Sequence, residues 1–236
     1  MPHGKYMTRR ALGALGAGAL AGGAIGATAD GGPGGLQLPK EAATALNRLR
    51  EGLDRFIKGS SKHAHADINW RKQLVNSQKP FATILGCCDS RVPVELLFDQ
   101  GFGDLFVIRV AGNVVAPDVI GSIDYAVDHL GTPLVLVLGH SNCGAVTAAL
   151  DEMRRPVRSV EPASMESLLR LIEPGIPKSL LQVKGPIATE RAVEMNVRWT
   201  VKQLNASPDL QEALRTDRLA VVGAVYNLEV GTLTFL

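Results

Sequence analysis

The sequence predicts an α/β fold with a mostly parallel central β-sheet, flanked by helices and closed by an antiparallel C-terminal edge strand. Four continuous apolar runs have the length of strands that are buried on both faces. Segments with a helical period lie between the runs, and this alternation is typical of parallel α/β sheets. The predicted strands are residues 81–86, 105–110, 134–139 and 219–226.

The remaining elements follow from the same periodicity. Residues 41–57 repeat Leu46, Leu49 and Leu53 at helical spacing, which predicts a helix packed on the body of the protein. Residues 230–236, after Asn227, are predicted to form the antiparallel edge strand. The other predicted helices are residues 68–76, 119–130, 145–153, 165–172 and 189–204. No internal repeat or interior linker is evident, so residues 41–236 are predicted to be one domain.

Composition limits the class of protein. The chain has 236 residues, which is enough for one large domain with a real core. With 46% hydrophobic and 20% charged residues it is neither disordered nor a basic nucleic-acid binder. Three cysteines are too few for a disulfide scaffold. The net charge of +2 comes from the first 29 residues, which hold three basic residues and no acid.

That N-terminal leader has the pattern of a targeting segment. Thr8-Arg9-Arg10-Ala11-Leu12 is a twin-arginine pattern, and Ala27-Thr28-Ala29 is an A-x-A cleavage site. Residues 1–29 are therefore predicted to be a twin-arginine export signal, and residues 30–40 a flexible linker. We expect an exported, periplasmic or extracytoplasmic protein with no stable membrane insertion after cleavage. The alternatives are a disordered tail or a short membrane anchor, although the apolar run is too Gly-rich for a good span.

Thiol and imidazole groups follow two of the predicted strands. Cys87 and Cys88 end the first apolar run, and His140 and Cys143 come directly after the third. Ligands bind beyond the carboxyl ends of parallel strands, so these groups could meet if the two strands are neighbours. Two thiolates and one imidazole suit a zinc ion with one exchangeable position. The alternatives are small buried apolar cysteines, or a redox element formed by Cys87 and Cys88.

A carboxylate and a guanidinium stand beside this candidate site. Asp89 follows Cys87 by two residues, and Arg91 follows Asp89 by two. A carboxylate paired with a guanidinium stays ionised and is held in one orientation. Such a pair next to zinc could hold the proton of a bound hydroxide. Asp89 could instead be a zinc ligand, or the two residues could form an ordinary surface ion pair of little consequence.

These segments resemble the β-class carbonic anhydrases. Cys87-Cys88-Asp89-Ser90-Arg91 matches the family's C-x-D-S-R motif, and His140-Ser141-Asn142-Cys143-Gly144 matches its H-x-x-C-G motif. The resemblance implies one Zn²⁺ per chain, bound by Cys87, His140 and Cys143, with Asp89 and Arg91 as the catalytic dyad. It also implies reversible hydration of carbon dioxide to bicarbonate and a proton, by attack of zinc-bound hydroxide.

The same resemblance implies a substrate pocket and a subunit arrangement. Gln78, Phe106 and Tyr125 match pocket positions, and in many relatives the glutamine reaches into the site of a partner subunit. A homodimer or higher homo-oligomer is therefore expected, with no nucleic-acid partner. Phe106 and Tyr125 could equally be core residues. In a subgroup of this family, a Trp at the position of Ile84 forms part of an inhibitory bicarbonate pocket. Because this chain has Ile84 there, Asp89 is expected to pair with Arg91 and to leave the zinc site open. Asp89 would ligate zinc only in a closed form of the site.

Two other functions remain open on the sequence. A hydrolase of carbon disulfide or carbonyl sulfide would use the same scaffold and the same zinc motifs, because these substrates are also linear and neutral. A non-catalytic zinc or thiol-redox protein would keep the cysteines. The pair of Asp89 and Arg91 argues against the non-catalytic hypothesis, since a structural zinc site would not need such a pair.

Overall fold

A computed structural model describes residues 37–236 of the chain. Its five-stranded sheet has the order β2-β1-β3-β4-β5. The first four strands are parallel and β5 is antiparallel to β4, so the predicted fold class is confirmed. The strands are β1 Ala82–Gly86, β2 Leu105–Arg109, β3 Leu134–His140, β4 Ala220–Tyr226 and β5 Leu233–Phe235.

Helices cover both faces of this sheet. They are α1 Lys40–Ile57, α2 Ile68–Gln73, α3 Val94–Leu97, α4 Pro117–Asp128, α5 Gly144–Arg154, α6 Ala163–Ile172, α7 Pro186–Asn205 and α8 Gln211–Arg215. The sequence did not predict α3 and α8, which are too short to show a period. Helix α2 ends at Gln73, earlier than predicted, because it buries no side chain that could extend it by packing.

Strand order explains where a site can form. The chain moves from β1 outward to β2 on one side, whereas β3 pairs with the other side of β1. The neighbour relation that the metal-site prediction required is therefore present, with Gly86 opposite Leu138 at the carboxyl ends. The crevice beyond such a reversal of strand order is where open α/β sheets bind their ligands.

Core packing follows the alternation of side chains along the central strands. Ile84 packs in the cluster beneath α1 and α3, and Leu85 packs on the opposite side with Val197 of α7. A third apolar cluster beneath α5 and α6 includes Cys87 and Cys143. The two thiols are therefore enclosed by packed helices at the edge of the sheet.

The close docking of α1 gives a stability prediction. A Cβ added at Gly52 would stand 1.7 Å from the carbonyl oxygen of Phe98, which is backbone and cannot move aside cheaply. We expect Gly52→Ala to lower the free energy of unfolding by about 1–3 kcal/mol or more. Glycine-to-alanine changes in exposed helices normally have the opposite sign. Urea unfolding followed by circular dichroism measures the effect.

Gly121 of α4 is the matched control for this change. It is exposed, and no atom outside its immediate backbone lies within 4 Å of a Cβ added there. Gly121→Ala should therefore raise the free energy of unfolding by about 0.5–1 kcal/mol. Loss of stability in both variants, or in neither, would contradict the assigned docking of α1.

Two acidic side chains fix the segment between α1 and β1. Asp99, which is buried, accepts a hydrogen bond of 2.5 Å from Arg55 Nε. Asp104 accepts from Arg48 at 2.5 Å and from His65 Nδ1 at 2.9 Å. The arginines belong to α1, and the segment itself is held by His65 and by the N–H groups of Lys62 and His63, which donate to Asp99 at 3.0 and 2.9 Å.

The predicted leader lies outside the described residues, as does most of the predicted linker. Helix α1 begins at Lys40, one residue before the predicted domain start, and Pro39 precedes it. Among residues 37–236, no helix is long and apolar enough to cross a membrane.

Candidate metal centre

Three buried side chains converge beyond β1 and β3. Cys87 follows the last residue of β1, His140 is the last residue of β3, and Cys143 stands at the N-cap of α5. One ligand atom from each lies within 4.8 Å of the other two. The two sulfurs are 3.9 Å apart. Two Zn–S bonds of about 2.3 Å at the tetrahedral angle would separate them by about 3.8 Å.

The imidazole is oriented as a metal ligand. His140 Nδ1 lies 2.9 Å from the carbonyl oxygen of Ser141. A carbonyl can only accept, so Nδ1 carries the proton and Nε2 presents a lone pair. Within the described chain Nε2 is buried without a hydrogen-bond partner. A backbone carbonyl that holds the second nitrogen is the usual outer contact of a zinc-bound histidine, so the donor set fits zinc.

Neighbouring groups favour a thiolate at this centre. The hydrogen bond between the two thiols lowers the pKa of Cys87 to about 4 and raises the pKa of Cys143. Burial lowers the pKa of His140, but the nearby Cys87 sulfur and the carbonyl of Ser141 favour the protonated ring, and the net shift is upward. The pair therefore favours one thiolate, which shares the remaining proton with the other sulfur when no metal is bound. Both sulfurs become thiolates when a metal replaces the shared proton.

A tight turn brings His140 and Cys143 to the same point. Asn142 adopts a left-handed backbone conformation with φ 55°, which reverses the chain between the two ligands. Ser141 braces the turn against β4, because its N–H donates to the carbonyl of Tyr226 at 2.8 Å. Its hydroxyl also accepts from the N–H of Leu228 at 2.9 Å. Cys143 then lies at the N-terminus of α5, where the helix dipole favours negative charge on its sulfur.

Asp89 and Arg91 form a paired, two-bond contact at the rim of this centre. Arg91 Nε donates to Asp89 Oδ1 at 2.9 Å, and Nη2 donates to Oδ2 at 2.7 Å. The guanidinium holds the pKa of Asp89 well below its usual range. Asp89 Oδ2 also lies 3.7 Å from His140 Nε2, so the carboxylate faces the metal ligands. The adjacent Cys88 is exposed and is not one of the three converging residues.

The three predicted pocket residues do not join the metal cluster within one chain. Gln78 is exposed in the segment that precedes β1, at the opposite end of the strand from Cys87. Phe106 is paired with Thr83, four residues before Cys87, which is about 13 Å along the strand. Tyr125 on α4 is 46% exposed, and its ring centroid is 6.2 Å from that of Phe106.

Comparison with known proteins decides the family. A protein-family model described as "Carbonic anhydrase" matches residues 82–233, which include all of the metal cluster and Asp89 and Arg91. The chain belongs to the β-carbonic anhydrase family. Members of this family are zinc enzymes, so the predicted family, enzyme class and zinc cofactor are confirmed.

Curated relatives and solved β-carbonic anhydrases agree with this assignment. Carbonic anhydrase 2 of Mycobacterium tuberculosis is 38% identical over 188 residues, which covers 79% of this chain and 89% of that protein. The Mycolicibacterium smegmatis enzyme is 40% identical over 192 residues, with the same coverage. Among structures, a tetrameric β-carbonic anhydrase of Sordaria macrospora superposes with TM-score 0.64 at 25% identity, covering 80% of this chain and 97% of that one. A Coccomyxa β-carbonic anhydrase solved with acetazolamide superposes with TM-score 0.62 at 29% identity, covering 82% of this chain and 85% of that one.

These relatives also bear on the alternative functions. The curated relatives described above are named carbonic anhydrases, so a carbon disulfide or carbonyl sulfide hydrolase is not favoured. The catalytic dyad and the substrate pocket are finer assignments than the family match and stay predictions.

Sequence reasoning missed two contacts that complete this β-carbonic anhydrase site. Arg109 donates to the carbonyl of Cys87 at 3.0 Å and to that of Asp89 at 2.6 Å, which fixes the backbone between ligand and dyad. The N–H of Gly112 donates to Cys87 Sγ at 3.3 Å. Arg109 is the last residue of β2, and Gly112 lies in the turn that follows it. No pattern in the sequence indicates that a backbone N–H of this turn reaches a ligand sulfur.

Proposed function

We propose that this chain catalyses the reversible hydration of carbon dioxide at a zinc ion bound by Cys87, His140 and Cys143. Asp89 and Arg91 would be the catalytic dyad. The observation that carries the proposal is the fixed Asp89–Arg91 pair, 3.7 Å from the free nitrogen of His140. Three protein donors leave one position open, which is the pattern of a catalytic zinc, whereas a structural zinc has four protein ligands.

Each residue of the dyad has a defined task. Zinc, when bound, lowers the pKa of a coordinated water from ~15.7 to about 7 and so supplies a nucleophile near neutral pH. Ionised Asp89 can only accept hydrogen bonds, so it would accept one from that nucleophile and thereby orient a lone pair of the nucleophile toward carbon dioxide. Arg91 keeps Asp89 ionised and oriented. One water and one CO2 give one bicarbonate and one proton, which leaves to solvent.

Stopped-flow CO2 hydration, with zinc content measured on the same sample, tests this proposal. We expect one zinc per chain and a hydration rate that disappears when a chelator strips the metal and returns with added Zn²⁺. A protein with one zinc per chain and no hydration activity at alkaline pH would overturn it. Carbon disulfide and carbonyl sulfide, assayed in parallel, should be poor substrates.

We also propose that the active form is a homodimer or a higher homo-oligomer, in which a neighbouring subunit supplies Gln78. The distance of Gln78 from the metal cluster of its own chain supports this. So does an open groove of about 390 Å³ beside β2, which within residues 37–236 pairs with another strand on one side only. The groove has apolar lining residues from three elements. Those residues include Ile108, Val119, Leu168 and Leu171. The Sordaria macrospora relative is described as tetrameric.

Complementation between two inactive variants tests this arrangement. Gln78→Ala should keep its zinc but lose about 10- to 100-fold in kcat/KM, because one donor to the substrate is gone. Co-expressed with Cys143→Ser, it should regain about a quarter of the wild-type activity, since half of randomly mixed dimers contain one intact site of two. Recovery absent from a confirmed mixed dimer would show that Gln78 does not act across the interface.

An open metal site at neutral pH is proposed on two grounds. Both carboxylate oxygens of Asp89 already accept hydrogen bonds from Arg91. Ile84, at the position of the subgroup's Trp, is fully buried in the core beneath α1. A zinc-bound crystal structure at neutral pH would contradict this if an Asp89 oxygen lay within about 2.2 Å of the ion.

Export through the twin-arginine route is proposed from the leader alone. We expect Arg9→Lys with Arg10→Lys to leave the protein in the cytoplasm, because the route reads the arginine pair itself. Lys5→Gln, which removes a leader charge outside the pair, is the control and should still be exported. Cell fractionation with immunodetection measures both. Equal export of the double variant and the control would reject the assignment.

A further inference from the structure

The N–H of Gly112 that contacts Cys87 belongs to a turn with unusual backbone geometry. Residues Ala111–Asn113 form a single 3-10 turn after β2. Gly112 has φ 67° and the following Asn113 has φ 45°, so two successive residues are left-handed. Asparagine is one of the few non-glycine residues that adopts this conformation readily, so the turn forms without marked strain. Its position relative to Cys87 then depends on contacts with neighbouring elements.

Helix α7 provides these contacts. Asn196 Nδ2 donates to the carbonyl of Gly112 at 2.8 Å, and Thr200 Oγ1 donates to the carbonyl of Asn113 at 3.2 Å. The two side chains are four residues apart, so they lie on one face of the helix. Both are almost completely buried. Each left-handed residue of the turn is thus held through its carbonyl by one α7 side chain.

These polar side chains are retained at a cost to the core. Within the described residues, Asn196 Oδ1 and Asn113 Nδ2 are buried with no hydrogen-bond partner. Burying an amide with a hydrogen bond at only one of its two polar atoms costs more free energy than burying an apolar side chain of the same size. Leucine at position 196 would pack among the apolar residues of α7 without this cost. The contact with Gly112 is what the asparagine adds.

We propose that Asn196 and Thr200 are positioning residues for the metal centre. They hold the turn so that the Gly112 N–H stays on Cys87 Sγ and withdraws charge from that thiolate. Two thiolates donate more charge to a metal than neutral imidazoles do, and the N–H···S bond limits this donation. The metal therefore remains a stronger Lewis acid than an unsupported Cys2His site would allow. This inference rests on the proposed zinc function.

Cobalt substitution gives a direct readout of sulfur donation. Co²⁺ bound by thiolates shows a sulfur-to-metal charge-transfer band, and loss of a hydrogen bond to sulfur moves that band to lower energy. We expect this shift in Asn196→Leu and a smaller one in Thr200→Val, with Thr200→Ser close to wild type because its hydroxyl is kept. Zinc affinity, measured by competition with a chelator, should fall about 10- to 100-fold in Asn196→Leu, because the turn would no longer hold Cys87 in the orientation that binds the metal.

Leu204→Ala is the matched control. Leu204 is fully buried on the same helix but packs in the cluster away from the cysteines, so the variant loses stability without losing a contact to the turn. A band position and zinc affinity in Asn196→Leu equal to those of Leu204→Ala would overturn the inference. Wild type separates the two proposals: a wild-type protein without a cobalt–thiolate band would refute the zinc site itself. If Asn196→Leu does not fold, the band in Thr200→Val, compared with Thr200→Ser, decides.

Discussion

Replacing Cys143 with serine should remove zinc from the protein and lower CO2 hydration by more than roughly a hundredfold. Changes to residues that only contact zinc ligands already cost 10- to 100-fold in metal affinity or activity, and Cys143 is one of three proposed direct ligands. A serine hydroxyl is a poor ligand near neutral pH, because it is not deprotonated there. Zinc content by atomic emission and stopped-flow hydration on the same sample measure both effects.

Cys88→Ser is the control that this chain offers for that experiment. Cys88 is the neighbour of a proposed ligand, but its side chain is exposed and lies outside the metal cluster. It should keep one zinc per chain and wild-type activity. Zinc loss in Cys88→Ser with retention in Cys143→Ser would mean that the ligand set is wrong. Equal loss in both would point to a general effect of cysteine substitution.

Asp89→Asn should lower kcat by about 10²- to 10³-fold while the zinc content stays at one per chain. Asparagine has nearly the same shape but carries no charge, and its amide nitrogen would donate where the carboxylate accepts. The nucleophile would then lose the acceptor that directs its lone pair. Arg91→Lys should have a smaller effect of the same kind, because lysine cannot form the two-bond contact.

A surface ion pair controls for the charge change. Asp128 lies 3.4 Å from Arg218, and both side chains are about half exposed. Asp128→Asn should leave the hydration rate and zinc content unchanged, since exposed pairs of this kind contribute little. An Asp89→Asn enzyme with wild-type kcat would exclude Asp89 from the catalytic dyad. A variant that lost its zinc would assign Asp89 a role in binding the metal.

Helix and strand predictions succeeded where burial controlled the sequence. The four apolar runs became β1 to β4 within one residue at either end. β1 and β3 are buried along their whole length, as their apolar runs predict, whereas β2 at the edge of the sheet is only partly buried. The boundaries of short elements were predicted less accurately. Helix α2 buries nothing and stops early at Gln73, and the edge strand shrinks to Leu233–Phe235 because residues 227–232 turn back on themselves.

Among the predicted site residues, those whose placement depends on the local sequence also differ from those whose placement depends on the fold. Nearness to strand ends, which is visible in sequence, indicated a candidate site at the cysteines, His140, Asp89 and Arg91. The choice of Cys87 over Cys88 as a ligand, and the dyad role of Asp89 and Arg91, came from the resemblance to the family motifs. The pairing of Asp89 with Arg91 is also local, since the two residues are two positions apart in the chain. By contrast, Gln78 and the ring pair of Phe106 and Tyr125 lie away from the metal cluster of their own chain.

The sequence by itself determined the donor types, their place at strand ends and the fold class, because local periodicity and motif spacing encode these features. Only the tertiary structure decided that β1 and β3 are neighbours, that Nε2 of His140 faces the two sulfurs, and that α7 reaches the turn beside Cys87. The last of these contacts joins residues 84 positions apart. Strand order and helix docking arise from burial summed over the whole chain, so no local pattern specifies them.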